Sequence, residues 1–250
     1  MEEQSGDLGL SGHKLSIVIP AYNEAPFISK AISETREAMS NLGLNYEIVV
    51  IDDGSKDHTF EESSKHITGN VKVIRYEENG GKGKALRYGF NHVSGDLVTF
   101  LDADLDLHPA QISTFLDYME KNDADVVIGS KRHPLSKLNY PWDRKFLSSG
   151  YNMLTRALFG LDIKDTQAGI KLFKKEVLDE VLPKILVKRY AFDLEVLVNA
   201  DRLGYKTVEA PIDLDFQRVV GRIRLRDITR IAMDTAAIFY RLKFSKYYDK

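Results

Sequence analysis

Five short apolar runs, separated by segments of helical length and each stopping at polar residues, constrain this chain's fold more than any single motif. They are Leu15-Ser16-Ile17-Val18-Ile19-Pro20, Tyr46-Glu47-Ile48-Val49-Val50-Ile51, Val71-Lys72-Val73-Ile74-Arg75-Tyr76, Leu97-Val98-Thr99-Phe100-Leu101 and Ala124-Asp125-Val126-Val127-Ile128-Gly129-Ser130. Runs this short and this apolar read as buried strands. The stretches between them predict helices over about 26–40, after Asp57, from the glycine-rich turn at 79–83 to about 92, and over about 109–121. Strands alternating with helices imply an α/β chain, with a mainly parallel sheet covered on both faces. Ligands of such sheets sit outside the carboxyl ends of the strands. Those ends carry Tyr22 and Glu24, Asp52 and Asp53, Lys82, and Asp102, Asp104 and Asp106.

The acidic run is the most demanding of these. Asp102-Ala103-Asp104-Leu105-Asp106 puts three carboxylates at alternate positions directly after a buried strand. Desolvating like charges together is costly unless a cation compensates them. Hard oxygen ligands suit Mg²⁺ or Mn²⁺, which one or two carboxylates commonly share with substrate phosphates. A polar strand end running into a loop would look the same in isolation. The Asn79-Gly80-Gly81-Lys82-Gly83 turn lacks the spacing of a Walker phosphate loop, and no Gly-x-Gly-x-x-Gly follows the first strand.

With 250 residues the chain can bury a substantial core. We divide it into a loose polar tail over 1–13, a main domain over 14–225, and a basic C-terminal helix over 226–250. No cysteine is present, which excludes disulfides, thiolate metal sites and cysteine nucleophiles and fits a cytosolic setting. No stretch approaches the ~18 consecutive apolar residues of a membrane span, and no secretory signal is visible. The net charge of −2 hides an asymmetry: residues 217–250 hold nine Lys or Arg against three Asp, giving +6 there and −8 elsewhere. A basic end on an acidic body suits an anionic partner or surface. In that end Ile228, Ile231, Ala232, Thr235, Ile238, Phe239 and Leu242 recur at helical spacing, with Arg226, Arg230, Asp234 and Arg241 largely on other faces. Such a helix either packs on the domain or lies on an anionic membrane surface.

Taken in order, Ile19-Pro20-Ala21-Tyr22-Asn23-Glu24, Ile51-Asp52-Asp53-Gly54-Ser55-Lys56-Asp57, Gly81-Lys82-Gly83 and Asp102-Ala103-Asp104 resemble the inverting, nucleotide-sugar-dependent glycosyltransferases of GT-A (Rossmann-like) fold. Asp165-Thr166-Gln167-Ala168-Gly169-Ile170-Lys171-Leu172-Phe173 and Tyr190-Ala191-Phe192-Asp193-Leu194-Glu195 narrow the resemblance. They are similar to the branch that makes dolichyl- or polyprenyl-phosphate sugars, the dolichol-phosphate mannose synthases and dolichyl-phosphate glucosyltransferases.

By position, the resemblance implies that Pro20, Tyr22, Glu24, Asp53, Lys82, Asp102 and Ala103 bind the donor. Asp102 and Asp104 would hold the metal, with Asp106 as a third candidate ligand. Asp104, Asp193 and Arg144 are the catalytic candidates, Asp193 facing donor sugar or acceptor. Lys131, Arg132, Arg144, Ser148 and Arg224 would meet the acceptor phosphate. Two departures stand out. Relatives usually carry Arg after Gly-Ser, where this chain has Lys131-Arg132, so either could serve. Many carry Gly-x-Ser-Lys-Leu where this chain reads Gly221-Arg222-Ile223-Arg224-Leu225, keeping the charge and losing a hydroxyl.

The implied activity is metal-dependent transfer of one sugar, from UDP-glucose or GDP-mannose, to dolichyl or polyprenyl phosphate. The implied setting is the cytoplasmic face of a membrane, bound peripherally and without nucleic acid. Transfer to a glycan or protein hydroxyl, and a non-catalytic nucleotide-sugar-binding domain, are the competing readings.

Overall fold

The computed structural model describes residues 12–139, 142–189, 191–215 and 225–249, with side chains outside 139–149 and 225–227. Five parallel-compatible strands follow the apolar runs: β1 (Lys14–Ala21), β2 (Asn45–Asp53), β3 (Val71–Tyr76), β4 (Leu97–Leu101) and β5 (Val126–Ser130). With β7 (Ile170–Lys174) and β8 (Thr207–Pro211) they form one sheet of order β3-β2-β1-β4-β7-β5-β8. The sheet is mainly parallel, as the alternation predicts. Its exception is β7, which runs antiparallel to both β4 and β5. A two-stranded ribbon of β6 (Lys137–Asn139) and β9 (Asp213–Asp215) lies beside it.

Alternation along the strands assigns side chains to opposite faces. Ile17 and Ile19, Ile48 and Val50, and Leu97 and Leu101 enter one core with Ile28, Ile32 and Met39 of α1 (Ile28–Leu42) and Phe115 and Leu116 of α4 (Ile112–Lys121). Val18, Val49, Ile51, Val98 and Phe100 enter the other, with Ala85 and Leu86 of α3 (Lys82–Phe90). Val177 and Leu178 of α6 (Lys175–Val181) and Phe192, Leu194 and Leu197 of α7 (Phe192–Arg202) complete that side. Each of the larger of these side chains contributes about 1.5–3 kcal/mol on burial. Both faces are covered, so the polar groups gather where the strands end.

Register brings those ends level. Pro20 pairs with Ile51 and Ala21 with Asp52, while Val18 pairs with Phe100. Tyr22, Asp53 and Asp102 therefore leave the sheet along one edge. The α2 helix (Thr59–Ser64) follows the loop after β2.

Two further helices sit together at the C-terminal side: α5 (Trp142–Phe159) and α8 (Leu225–Lys243), joined by Tyr151 Oη to Thr235 Oγ1 at 3.1 Å and an edge-on Phe159–Phe239 contact. Thr235 and Ile238 of the predicted apolar stripe are buried, whereas Ile228 and Ala232 of the same stripe are exposed. Arg241 departs from that spacing argument. It turns inward, its Nη2 lying 2.8 Å from Oε1 of the fully buried Glu195. Glu195 also accepts from the amides of Leu186 (3.0 Å) and Val187 (2.7 Å) and from the Tyr248 hydroxyl. One carboxylate thus ties the end of the chain to the loop before α7. The outward side of α8 and the turn after it are apolar instead: Met233, Tyr240 and Phe244 are 60–69 % exposed, and Met153 and Leu154 of α5 are exposed as well.

Candidate active site

The loops after β1 and β2 are stitched together before they reach any ligand. Asn23 adopts φ 57°, its amide donates to Ser55 Oγ (3.0 Å), and its Oδ1 accepts from the Lys56 amide (2.8 Å). The Glu24 amide donates to Thr59 Oγ1 at 2.7 Å. These bonds fix one wall of a 200 Å³ pocket lined by Pro20, Tyr22, Glu24, Asp53, Lys82, Asp102, Ala103 and Asp104. All the residues that the family resemblance assigns to the donor therefore line one pocket.

Asp53 does something the motif did not suggest. Both of its oxygens are taken up in building the glycine-rich turn. Oδ1 accepts from Tyr76 Oη (2.5 Å) and the Gly80 amide (2.7 Å), and Oδ2 from the Gly81 amide (2.8 Å) and Asn79 Nδ2 (3.0 Å). Burial and this hydrogen bond to Asp53 push the Tyr76 phenol far above its ordinary pKa, so it stays a donor. Gly81 has φ +91°, and a Cβ there would lie 2.8 Å from the Lys188 carbonyl oxygen, so only glycine lets the 182–189 loop close onto the turn.

The turn delivers Lys82 at the start of α3, with Nζ 2.6 Å from Asp102 Oδ1. Burial works against its charge, but Asp102, Asp193 and Asp104 outweigh that and hold it firmly protonated. Asp102 and Asp104 follow β4, where Leu105 sits at φ 61°, an uncommon backbone for leucine and a strain characteristic of functional loops.

The same two carboxylates line a second pocket, of 170 Å³, with Asp106, Lys131, Gln167, Ala168 and Gly169. Asp102 and Asp104 are thus the partition between two pockets. Lys131 enters the second through Asp165, which is fully buried: Lys131 Nζ lies 2.7 Å from Asp165 Oδ2, and the Lys131 amide donates to the same oxygen. Arg132 is exposed at the surface. Of the two basic residues proposed from sequence, Lys131 is the one brought to the pocket. Asp106 lines it too, but its amide donates to Asp104 Oδ1 at 3.3 Å and its carbonyl accepts from Asp215. Among the described residues no three acids or histidines converge on a common point. The side chains of Arg144 and Ser148, and Arg224 altogether, lie outside the described residues.

A divalent cation fits this partition on chemistry and on space. Asp102 and Asp104 supply hard oxygens, and the opposing turn comes unusually close: a Cβ at position 169 would lie 2.3 Å from Asp102 Oδ2. Gly169 leaves that oxygen open on the side of the second pocket.

Asp193, in the first turn of α7, is buried against a lysine that sequence reasoning gave no role. Lys171 Nζ lies 2.9 Å from Asp193 Oδ1. Burial would raise the Asp193 pKa, but Lys171 and Lys82 reverse this and keep the carboxylate ionised. The signal was present in the sequence as a lone cation inside the apolar Ile170–Phe173 run.

Comparison with known proteins agrees with this architecture. The sequence matches the family described as Glycosyl transferase family 2 over residues 16–182. A dolichyl-phosphate beta-glucosyltransferase of Trichomonas vaginalis is 34 % identical over 251 residues, covering 94 % of this chain and 76 % of its own length. A protein of the same name from Dictyostelium discoideum is 30 % identical over 214 residues, 80 % of this chain; the chain spans 65 % of that relative, just under two thirds. Among solved structures, glucosyl-3-phosphoglycerate synthase from Mycobacterium tuberculosis, in complex with Mn²⁺, UDP-glucose and glycerol 3-phosphate, aligns with a TM-score of 0.72 at 19 % identity, over 96 % of this chain and 84 % of that one. Mannosyl-3-phosphoglycerate synthase from Rubrobacter xylanophilus aligns at 0.71 and 20 % identity, over 94 % and 76 %. At these identities the structural likeness is one of fold.

Proposed function

Because the chain belongs to glycosyl transferase family 2, we propose that it transfers glucose from UDP-glucose to dolichyl phosphate, with inversion at the anomeric carbon. The observation that carries this reading is the Asp102–Asp104 partition, with Lys82 on the donor side and Lys131 on the other. The names of the relatives favour glucose over mannose and a lipid phosphate over a glycan hydroxyl.

Chemically, an oxygen of the acceptor phosphate forms a bond to C1 of the sugar while the C1–O bond to the donor diphosphate breaks and UDP leaves. A phosphate monoester has its second pKa near ~6, so the nucleophile is already an anion and needs no strong base. Lys131 in the second pocket suits holding that phosphate, and Arg144, Ser148 and Arg224 are the further candidates by position. Mg²⁺ or Mn²⁺ held by Asp102 and Asp104 would act as a Lewis acid on the leaving diphosphate. Lys82 adds a fixed cation beside the same carboxylates, and the ionised Asp193 supplies an acceptor for a sugar hydroxyl.

A lipid acceptor requires the site to reach a membrane. No described helix is long and apolar enough to cross one. The exposed Met233 and Tyr240 of α8 and Phe244 just after it, together with exposed Met153 and Leu154 of α5, favour peripheral seating on a membrane. The lack of cysteine fits placement on the cytoplasmic side.

The test is incorporation of label from UDP-[¹⁴C]glucose into an organic-extractable, acid-labile product with dolichyl phosphate and Mn²⁺. Labelled product that fails to form in Asp104→Ala supports the reading. Labelling of a glycan or protein instead, or donor binding without turnover, would replace it with one of the competing readings.

A further inference from the structure

Lys171 is only 2 % exposed, on β7 at the register position opposite Phe100, with Ile170, Leu172 and Phe173 as its buried neighbours in sequence. Its ammonium has two partners: Asp193 Oδ1 at 2.9 Å and the carbonyl oxygen of Ala168 at 2.5 Å. Asp193 Oδ2 has no hydrogen bond among the described residues. Ala168 precedes Gly169, the residue pressed against Asp102. One buried cation therefore spans from the carboxylate of α7 to the turn behind the Asp102–Asp104 partition.

Packing gives no reason for a charge here. A buried ion pair costs several kcal/mol of desolvation per ion, and an apolar residue of similar volume serves a core as well or better. Burial, with the nearby Lys82 ammonium, holds the Lys171 pKa below its ordinary value despite the opposing pull of Asp193, so the pair is kept at a desolvation cost. What the pair supplies is geometry. An ammonium donating to Oδ1 fixes the carboxylate plane of Asp193 and leaves Oδ2 to accept from a ligand. Its bond to Ala168 sets the distance between that carboxylate and the metal-side turn.

We propose that Lys171 is a positioning residue for the donor sugar, holding Asp193 so that its second oxygen accepts a hydroxyl of the sugar transferred. The inference rests on the reading of UDP-glucose as donor and of Asp193 as its sugar contact. It assigns Lys171 to recognition of the sugar and not of the nucleotide. The nucleotide would lie against Tyr22, Glu24 and the Asp53-built turn, whereas the ammonium of Lys171 is bonded to Asp193 and to the Ala168 carbonyl.

The experiment measures the affinity of UDP and of UDP-glucose, each with Mn²⁺, by calorimetry on wild type, Lys171→Met, Lys171→Arg, Asp193→Asn and Lys171→Met/Asp193→Asn. A lost hydrogen bond to a charged group corresponds to about tenfold or more. The expected result is a drop of that size for UDP-glucose relative to UDP in Lys171→Met and in Asp193→Asn, with no further drop in the double variant. Lys171→Arg keeps the charge but presents a planar fork, and falls between wild type and Lys171→Met. It also carries the test should Lys171→Met not fold. Equal weakening of both ligands in the Lys171 variants, or full retention of UDP-glucose affinity while Asp193→Asn loses it, overturns the inference. Retained affinity in Asp193→Asn overturns the sugar contact on which it rests, and absence of binding to either ligand in wild type overturns the donor.

Discussion

Lys82 Nζ lies 2.6 Å from Asp102 Oδ1, and that ion pair joins the glycine-rich turn to the acidic end of β4. It couples two motifs 20 residues apart into one electrostatic unit, since Asp104 and Asp193 also act on the same ammonium. In the proposed reaction, replacing Lys82 by Met would remove a fixed cation from beside the leaving diphosphate. Turnover should fall about a hundredfold, the scale of losing one preorganised charge-stabilising contact. Lys82→Arg should recover only part of this, because a guanidinium is not a point charge. Initial rates with UDP-glucose and dolichyl phosphate measure both.

Gly169→Ala tests the closeness of the turn to the carboxylate pair. Its Cβ would lie 2.3 Å from Asp102 Oδ2, so the carboxylate must move. Displacement of about 1 Å at reacting groups costs on the order of a hundredfold in rate. The variant should lose transfer and require more Mn²⁺ for half-maximal rate, with its melting temperature nearly unchanged.

The acid limb of stability should depend on a residue far from the site. Glu47 is buried where its Oε1 accepts from Ser16 Oγ (2.8 Å) and its Oε2 lies 2.9 Å from Lys72 Nζ. Burial alone would raise its pKa. Lys72, together with the Ser94 amide and the Ser16 and Ser94 hydroxyls, outweighs burial and lowers it from the usual 4.5 to about 2. A carboxyl whose folded pKa is depressed contributes stability above its unfolded pKa and loses it as pH falls towards the folded one. Urea unfolding should therefore weaken between pH 4.5 and 2 in wild type, and this part of the decline should be missing in Glu47→Gln.

The exposed apolar side of α8 predicts vesicle binding. Burying a large apolar side chain is worth about 1.5–3 kcal/mol, so Met233→Glu/Phe244→Glu should cut sedimentation with anionic phospholipid vesicles more than tenfold. Both side chains are exposed, and Phe244 otherwise meets only the Tyr240 and Phe239 rings among the aromatic contacts of the described residues, so unfolding midpoints should change little. Equal sedimentation of variant and wild type would remove the membrane-seating reading of this face.

What could be read from sequence was what depends on local pattern. Five of the parallel strands announce themselves as apolar runs, whereas β8, mostly half-buried and carrying Glu209, does not; register then carries Tyr22, Asp53 and Asp102 to one edge. The features missed depend on partners distant in the chain. The strand Ile170–Lys174 holds two lysines, and Lys171 is compatible with a core position only because Asp193 meets it from α7. Arg241 looks solvent-facing by helical spacing but turns inward to Glu195, 46 residues away. Asp53 was legible as a site residue through its motif, whereas its service to the Gly80–Gly81 turn required knowing where that turn folds back.

In the proposed reaction Asp102 and Asp104 stand between donor and acceptor and act through a divalent cation. The most direct test is transfer from UDP-glucose to dolichyl phosphate by wild type, Asp102→Asn and Asp104→Asn, each treated with chelator and then titrated with Mn²⁺. Losing charge stabilisation of the leaving group should cost about a hundredfold or more. Wild-type transfer should fall by that factor in chelator and return with Mn²⁺, and neither variant should recover at saturating Mn²⁺. Transfer by the chelated wild type at its full rate, or wild-type rates in both variants, would contradict that role of the pair.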